Sequence, residues 1–354
     1  MLVALDFSGD MISYAYYDGQ RMRLEYLQDT VGFRTKDLFQ DRKIIKSLLY
    51  VVKDIIKHDI GETLKVTVIA IPSYCSYHDR ERIKKAASEC DINVMRLLVG
   101  TTAAVVFMNH MYNLTQKHFT VCSVYSDYAE LVIAEIGNGV IEILSSSIFP
   151  YKEDSNIRNL DNVRKNLLSQ VKQAYDDAGL TAENTGKNVF ISCENCTGLV
   201  RDQFRETLKS YTDSELISFS NGAVMGALLC LMKLQGMEGI YQDYLLLDVA
   251  YKGISVAFGD EGEFKPVIPR FCKIPSRQMV DLMVSTETEL RIYEGNFRNR
   301  MYDEIIGTHK VSEFLEGRIV NVVIDIDVTG KIEYSVLDDS EKEIIPSRRI
   351  PSHE

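Results

Sequence analysis

The pattern of apolar and turn residues across residues 2–113 recurs across residues 119–236, with a period near 120. Residues 2–28 read as three short strands, with turns at Ser8-Gly9-Asp10 and Asp18-Gly19-Gln20. Residues 118–144 read as three strands again, with turns near Tyr125-Ser126-Asp127 and Gly137-Asn138-Gly139. In the first copy a long helix follows from Asp37. Its apolar residues fall at helical spacing (Ile44, Leu48, Val51, Val52, Ile55, Ile56), and Gly61 stops it. A strand at 64–72, a helix at 78–90, a strand at 92–98 and a helix at 101–111 complete that copy. The second copy has counterparts: a helix at 157–179 stopped by Gly179, then strand 187–192, helix 198–210, strand 215–219 and helix 222–236. A period this long marks a duplicated half-domain, not a solenoid. Two βββαβαβα halves predict an α/β fold with mainly parallel buried strands, and ligands of such folds sit between the halves.

After about residue 240 helical spacing disappears and short alternating runs take over: "GISVAFG", "DLMVST", "ELRIYEG", "IVNVVIDIDVTG" and "KIEYSVLD". Turn signals at Gly259, Gly262, Gly295, Gly317 and Gly330 separate them, which predicts a small β-sandwich-like domain. The expected organisation is an α/β domain over 1–240, an apolar linker over 241–248, a β domain over 249–345 and a loosely ordered tail over 346–354. The linker, Leu245-Leu246-Leu247-Asp248, is too apolar to stay in water. Either it docks on the α/β half, or it is the first strand of the β domain.

Composition excludes several functions. The net charge is −11 and no basic run stands out, so the phosphate-neutralising surface of a nucleic-acid binder is missing. No apolar run is long enough to span a membrane, and the N-terminus does not read as a signal peptide. Seven cysteines form no disulfide framework, which predicts reduced thiols and a cytoplasmic protein. The Cys193-x-x-Cys196 pair has no second cysteine or histidine pair nearby, and the six histidines show no metal spacing. No metal site is expected. Asp6 at a strand end reads either as a remnant magnesium ligand or as an Asp that hydrogen-bonds its own turn.

The segment "VTVIAIPSYCSYHDRERIKKAASECDINVMRLLVGTTAAVVF" resembles a stretch of the 70-kDa heat-shock chaperone (Hsp70/DnaK) family. In that family a strand, Pro-x-Tyr, a helix and a second strand lead into a Pro-Thr-Ala-Ala helix. "NGAVMGALL" is similar to the start of the last ATPase-domain helix. "LLLDVAYKGISVAFG" resembles the interdomain linker and the first strand of the substrate-binding domain, and "VVIDIDVTGKI" a later hairpin of it. The resemblance runs along the chain in family order. It implies a duplicated, actin-like (ribonuclease H-like) α/β domain followed by an all-β sandwich-like domain.

The departures from the family are as informative. Between 28 and 64, and again between 144 and 188, there is room for one helix but not for an upper subdomain. The sequence also ends without the family's helical lid. The family's Asp-Leu-Gly-Thr-Thr corresponds to Asp6-Phe7-Ser8-Gly9-Asp10. Its Asp-Leu-Gly-Gly-Gly-Thr falls on Ser123-Val124-Tyr125-Ser126-Asp127-Tyr128, and its Gly-Gly-Ser-Thr-Arg turn near Cys193–Thr197. The Glu of its Glu-Pro-Thr-Ala-Ala is Gly100 here. By this resemblance Asp6, Ser8, Gly9, Asp10, Ser126, Asp127 and Gly222 are the remains of a nucleotide site. Phosphate loops use glycine so that backbone N–H groups can approach oxygen closely. Tyr125 and Ser126 put side chains there, while Asp10 and Asp127 add negative charge. One like-charge pair at about 4 Å costs roughly 4 kcal/mol at an effective dielectric near 20.

The resemblance further implies a peptide cleft in the β domain, with Ala257, Phe258, Phe264, Leu282 and Leu290 as apolar candidates. The same residues would serve equally well as β core. The expected function is binding of unfolded or extended polypeptide, or of a specific partner protein, with no cofactor and no ATP cycle. Two alternatives stand beside it: a chaperone that hydrolyses ATP, with ATP/ADP and Mg²⁺ between unusual loops, and an actin-like scaffold subunit.

Overall fold

The repeat in the sequence is a repeat in the backbone. A computed structural model describes residues 1–9, 11–27, 38–39, 41–114, 118–125, 128–150, 157–181, 188–193, 198–212, 215–237, 244–260, 262–285, 288–295, 303–312 and 315–350. By packing, the chain divides into two units. The first is Met1–Cys75 with Arg82–Leu246, and the second is Ser76–Glu81 with Leu247–Glu354.

The first copy runs β1 (Leu2–Asp6), β2 (Ser13–Tyr17), β3 (Met22–Tyr26), α1 (Arg42–Ile60), β4 (Val66–Ile71), α2 (Tyr77–Ser88), β5 (Asn93–Val99) and α3 (Gly100–Tyr112). The second runs β6 (His118–Val124), β7 (Tyr128–Gly137), β8 (Val140–Pro150), α4 (Ile157–Asp177), β9 (Asn188–Cys193), α5 (Gly198–Thr212), β10 (Glu215–Phe219) and α6 (Gly222–Leu234). The sheet orders correspond strand for strand. The first is β3-β2-β1-β4-β5, and the second read in the matching direction is β8-β7-β6-β9-β10. In both, the leading hairpins are antiparallel and the two strands reached through helices pair in parallel. These mixed sheets with helical crossovers fit an actin-like ATPase fold. Among the described residues, one helix lies between β3 and β4 and one between β8 and β9.

Local chemistry sets the element ends. Helix α1 starts after Asp41, not at Asp37 as expected, because the Asp41 carboxylate accepts the Lys43 N–H at 2.7 Å. Gly61 ends it with φ 78°, its N–H bonded to the Lys57 carbonyl. The buried stripe of α1 is Ile45, Leu48, Leu49, Val52 and Ile56, while Val51 is exposed. The expected stripe is therefore rotated by part of a turn. Apolar residues cover more than half the helix circumference, so the 3–4 spacing fits two faces. Each fully buried Leu or Val contributes about 1.5–3 kcal/mol.

The two halves are joined by helices α3 and α6. Gly226 on α6 lies against the backbone of Ala103 on α3. A Cβ there would stand 1.8 Å from the Ala103 carbonyl oxygen.

Among the described residues the second unit holds eight strands in two sheets of four. The strands are β12 (Gly253–Phe258), β13 (Lys265–Ile268), β14 (Ser276–Met283), β15 (Glu289–Gly295), β16 (Glu304–Lys310), β17 (Ile319–Ile326), β18 (Ile332–Leu337) and β19 (Glu343–Arg349). One sheet is ordered β13-β12-β15-β16 and the other β14-β17-β18-β19. Val256, Phe258 and Ile292 of the first sheet share one apolar cluster with Leu282, Val322, Ile324 and Val336 of the second. Tyr77, from the short segment that belongs to this unit, is in the same cluster. Its N–H donates to Glu294 at 2.8 Å and its hydroxyl to the Ile350 carbonyl at 3.2 Å.

The expected loose tail from 346 is corrected through residue 350. Residues 343–349 pair with β18, and Ile345 and Ile350 are buried. Pro346 hides the strand in the sequence, but β19 is an edge strand, where a missing N–H is tolerated. Residues 351–354 lie outside the described residues.

The α3–α6 contact yields a prediction. Gly226→Ala forces two helix backbones apart and costs about 1–3 kcal/mol, as overpacking does. Thermal melting should then show a midpoint lower by roughly 2–10 °C. An unchanged midpoint would mean the two helices do not meet at Gly226.

Candidate functional site

Strand β1 carries Asp6 to its C-terminal end, next to the parallel strand β4, with Phe7 N–H bonded to the Ala70 carbonyl. The chain then turns sharply. The Ser8 N–H donates to Asp6 Oδ1 at 2.8 Å, and the Ser8 hydroxyl donates to the same oxygen. Asp6 thus closes its own turn, one of its two expected readings. The turn offers few free groups outward, because the second half occupies them. The Tyr125 hydroxyl donates to Ser8 Oγ at 3.3 Å, and the Tyr128 hydroxyl donates to the Ser8 carbonyl. The two phenol rings stack at 4.5 Å, and Tyr74 meets Tyr128 edge-on at 5.4 Å. Asp6, Ser8, Tyr125 and Tyr128 are each no more than 2% exposed.

The same contact accounts for Gly100. A Cβ at Gly100 would lie 2.5 Å from Ser8 Oγ and 3.4 Å from the Tyr125 hydroxyl. No larger side chain fits at that position while Ser8 holds its place.

Electrostatics at the site follow from burial. Desolvation pushes the Asp6 carboxyl up to about 6, while the hydrogen bonds from Ser8 pull it the other way. Burial raises the Tyr128 phenol well above its ordinary value, and the neighbouring Tyr125 and Glu130 act in the same direction. Tyr128 therefore stays protonated and keeps its donor. Glu130 on β7 is fully buried and accepts from Thr101 Oγ1 at 2.6 Å. Burial raises its carboxyl too, against hydrogen bonds from Ser73 and Thr101.

The other candidates separate. Gly9 is buried in the turn after Ser8. Asp10, Ser126 and Asp127 lie outside the described residues, as do Glu194–Thr197. Gly222 starts α6 as a packing glycine: a Cβ there would stand 2.4 Å from the Phe219 ring and 3.0 Å from the Ala104 methyl. Leu245–Leu247 form strand β11 at the edge of the six-stranded sheet beside β8, with the Leu245 N–H bonded to the Gly139 carbonyl at 2.8 Å. Leu246 is buried and Leu245 is 55% exposed. Asp248 is buried and accepts the Val249 N–H at 3.0 Å.

In the second unit, Ala257, Phe258, Leu282 and Leu290 are fully buried, the last three within the apolar core. Phe264 is half-buried, its ring 5.4 Å from that of Tyr293. At the same end Arg291 bridges Asp260 and Glu289, and Ser285 Oγ donates to the Phe258 carbonyl at 3.1 Å. Among the described residues no group of three His, Cys, Asp or Glu side chains could hold a metal, and no helix is long and apolar enough to cross a membrane.

Sequence reasoning singled out Tyr125 but not Glu130, Thr101 or Ser73. One signal was available for Glu130. It is a lone acid inside "YAELVIA", a run whose length and neighbours read as buried on both faces.

Comparison with known proteins adds family. Residues 23–148 match the family model described as Hsp70 protein. The chain is 26% identical to Chaperone protein DnaK of Mycoplasma mobile over 119 residues, which are 34% of this chain and 20% of that protein. It is 25% identical to Chaperone protein HscA of Buchnera aphidicola subsp. Schizaphis graminum over 177 residues, 46% of this chain and 28% of that protein. The matched stretches thus span less than a third of the length of these relatives.

The raised Asp6 carboxyl has a consequence for stability. The folded chain holds this proton more tightly than the unfolded chain. Stability from this group is full below about pH 4, the ordinary carboxylate range, and is lost as the pH rises to about 6. Asp6→Asn keeps the acceptor for Ser8 and removes the titration. The melting midpoint of the variant, relative to wild type, should therefore be higher at pH 7 than at pH 4. A difference independent of pH would contradict the assignment.

Proposed function

We infer, from the premise that this chain is a member of the Hsp70 family, that it binds polypeptide or a partner protein without a nucleotide cycle. One observation carries the reading. The turn after β1 spends its groups internally: its N–H and hydroxyl on Asp6, its carbonyl and Ser8 Oγ on two stacked tyrosines. Phosphate loops work by leaving backbone N–H groups bare and the space above them open. Here the space holds phenol rings, and a buried carboxyl that resists ionisation lies beneath. These residues do not fit a triphosphate with Mg²⁺, so no step of the mechanism runs through one. The described residues place one helix between β3 and β4 and one between β8 and β9, which supports the loss of the upper subdomains that close over nucleotide in the family.

In this reading the α/β unit is a fixed platform and the second unit is a β-sandwich that carries recognition. Extended polypeptide is the ligand class that the family relationship supports. With Ala257, Phe258, Leu282 and Leu290 committed to packing, the loop ends around Asp260, Phe264 and Arg291 supply the contact surface. The strand Leu245–Leu247, seated beside β8, is the proposed docked linker. Without a nucleotide to switch affinity, exchange of bound polypeptide is set by the dissociation rate of one state.

The reading is tested by melting the protein with and without Mg-ATP or Mg-ADP. A ligand at about 100 times its Kd stabilises the folded state by about 2.7 kcal/mol. The expected result is no shift at millimolar nucleotide, while extended Leu- and Val-rich peptides bind measurably by fluorescence anisotropy. A nucleotide-dependent rise that Asp6→Ala abolishes would return the chain to the ATP-using chaperones.

A further inference from the structure

Helix α3 has thirteen residues, and its N-cap is Val99, whose side chain caps nothing. The first N–H groups of a helix need an acceptor, and that end carries a partial positive charge. Glu130 comes to this end from the other half of the duplicated unit. It is fully buried in β7, where a carboxyl cut off from water needs a protein donor. Its Oε2 accepts from the Thr101 hydroxyl at 2.6 Å in the first turn of α3. The backbone of Thr101 and the turn at Ser73, just beyond β4, favour its ionised form from nearby, while its other oxygen, Oε1, is buried with no hydrogen-bond partner among the described residues. Ser73 and Thr101 belong to the first half, and Glu130 to the second.

We propose that Glu130 is a built-in acceptor that bolts the second half of the unit onto the first turn of α3, keeping the crevice shut with no ligand present. The proposal rests on the reading of the crevice as self-filled, and assigns the closing role to one residue. A cap from its own segment would leave α3 indifferent to the second half. A cap borrowed across the crevice makes helix and closure depend on each other. The bolt acts beside the Tyr125 and Tyr128 contacts, since β7 carries both Tyr128 and Glu130.

Hydrogen exchange on the full chain tests this, with Glu130→Ala, Glu130→Gln and, as a control for lost core volume on the same strand, Val132→Ala. Glu130→Ala should speed exchange by about tenfold in residues 2–8 and 100–104, beyond any change in Val132→Ala. Formate at about 100 mM, a carboxylate small enough for the vacated space, should reverse the effect where chloride at equal ionic strength does not. Glu130→Gln keeps an acceptor for Thr101 and should stay near wild type. If Glu130→Ala does not fold alone, recovery of the fold in formate but not in chloride supports the bolt equally well. Matching exchange in Glu130→Ala and Val132→Ala, with formate no better than chloride, would overturn the bolt. Binding of Mg-ATP to the wild type would instead overturn the nucleotide-independent reading and leave these exchange results standing.

Discussion

The hydrogen bond from the Tyr128 hydroxyl to the Ser8 carbonyl, with Tyr125 on the Ser8 hydroxyl beside it, is the constraint on which the rest of the α/β unit depends. It brings side chains of the second half onto the first turn of the first half. Asp6 is buried as a result, and a carboxyl in that position is pushed toward its neutral form. Gly100 has no room for a Cβ because Ser8 is held against it. The phenols remain donors because burial keeps them protonated. Each feature follows from the one before, and together they support reading the crevice as filled from within.

The duplication explains why such a contact can arise. Two halves with the same strand order face each other across helices α3 and α6, whose backbones meet at Ala103 and Gly226. In a fold of this kind the space between the halves is the default ligand site. Whatever fills that space sets the spacing of the halves. In the reading proposed for this chain, the filling groups are two tyrosines, a serine and two acids, all buried and covalently part of the fold.

Much of this was legible in the sequence, and the illegible parts have physical causes. The repeated strand–helix order, the stop at Gly61 and the left-handed pair Asn138-Gly139 in the β7–β8 turn are local signals, and local chemistry produced them. The strands that escaped notice, β13, β16 and β19, all lie at sheet edges. Edge strands carry Pro266, Gly307, Pro346 and charges that interrupt alternation, which protects edges and hides them from pattern reading. The replacement of phosphate-loop glycines was visible from Tyr125, but its consequence was not. That depends on Ser8, 117 residues away in sequence, and no local window connects the two. Ala257, Phe258, Leu282 and Leu290 show a related limit. Alternation identifies an inward face but cannot say whether that face meets a ligand or the opposite sheet.

The central claim is that the chain's own side chains occupy the space between the duplicated halves. A crystal structure determined from protein soaked in Mg-ATP tests it most directly. The predicted result is density for Tyr125 and Tyr128 stacked over an unchanged Asp6–Ser8 turn, with no phosphate beside them. Polyphosphate and a metal ion bonded to Asp6, with both rings swung away, would contradict it.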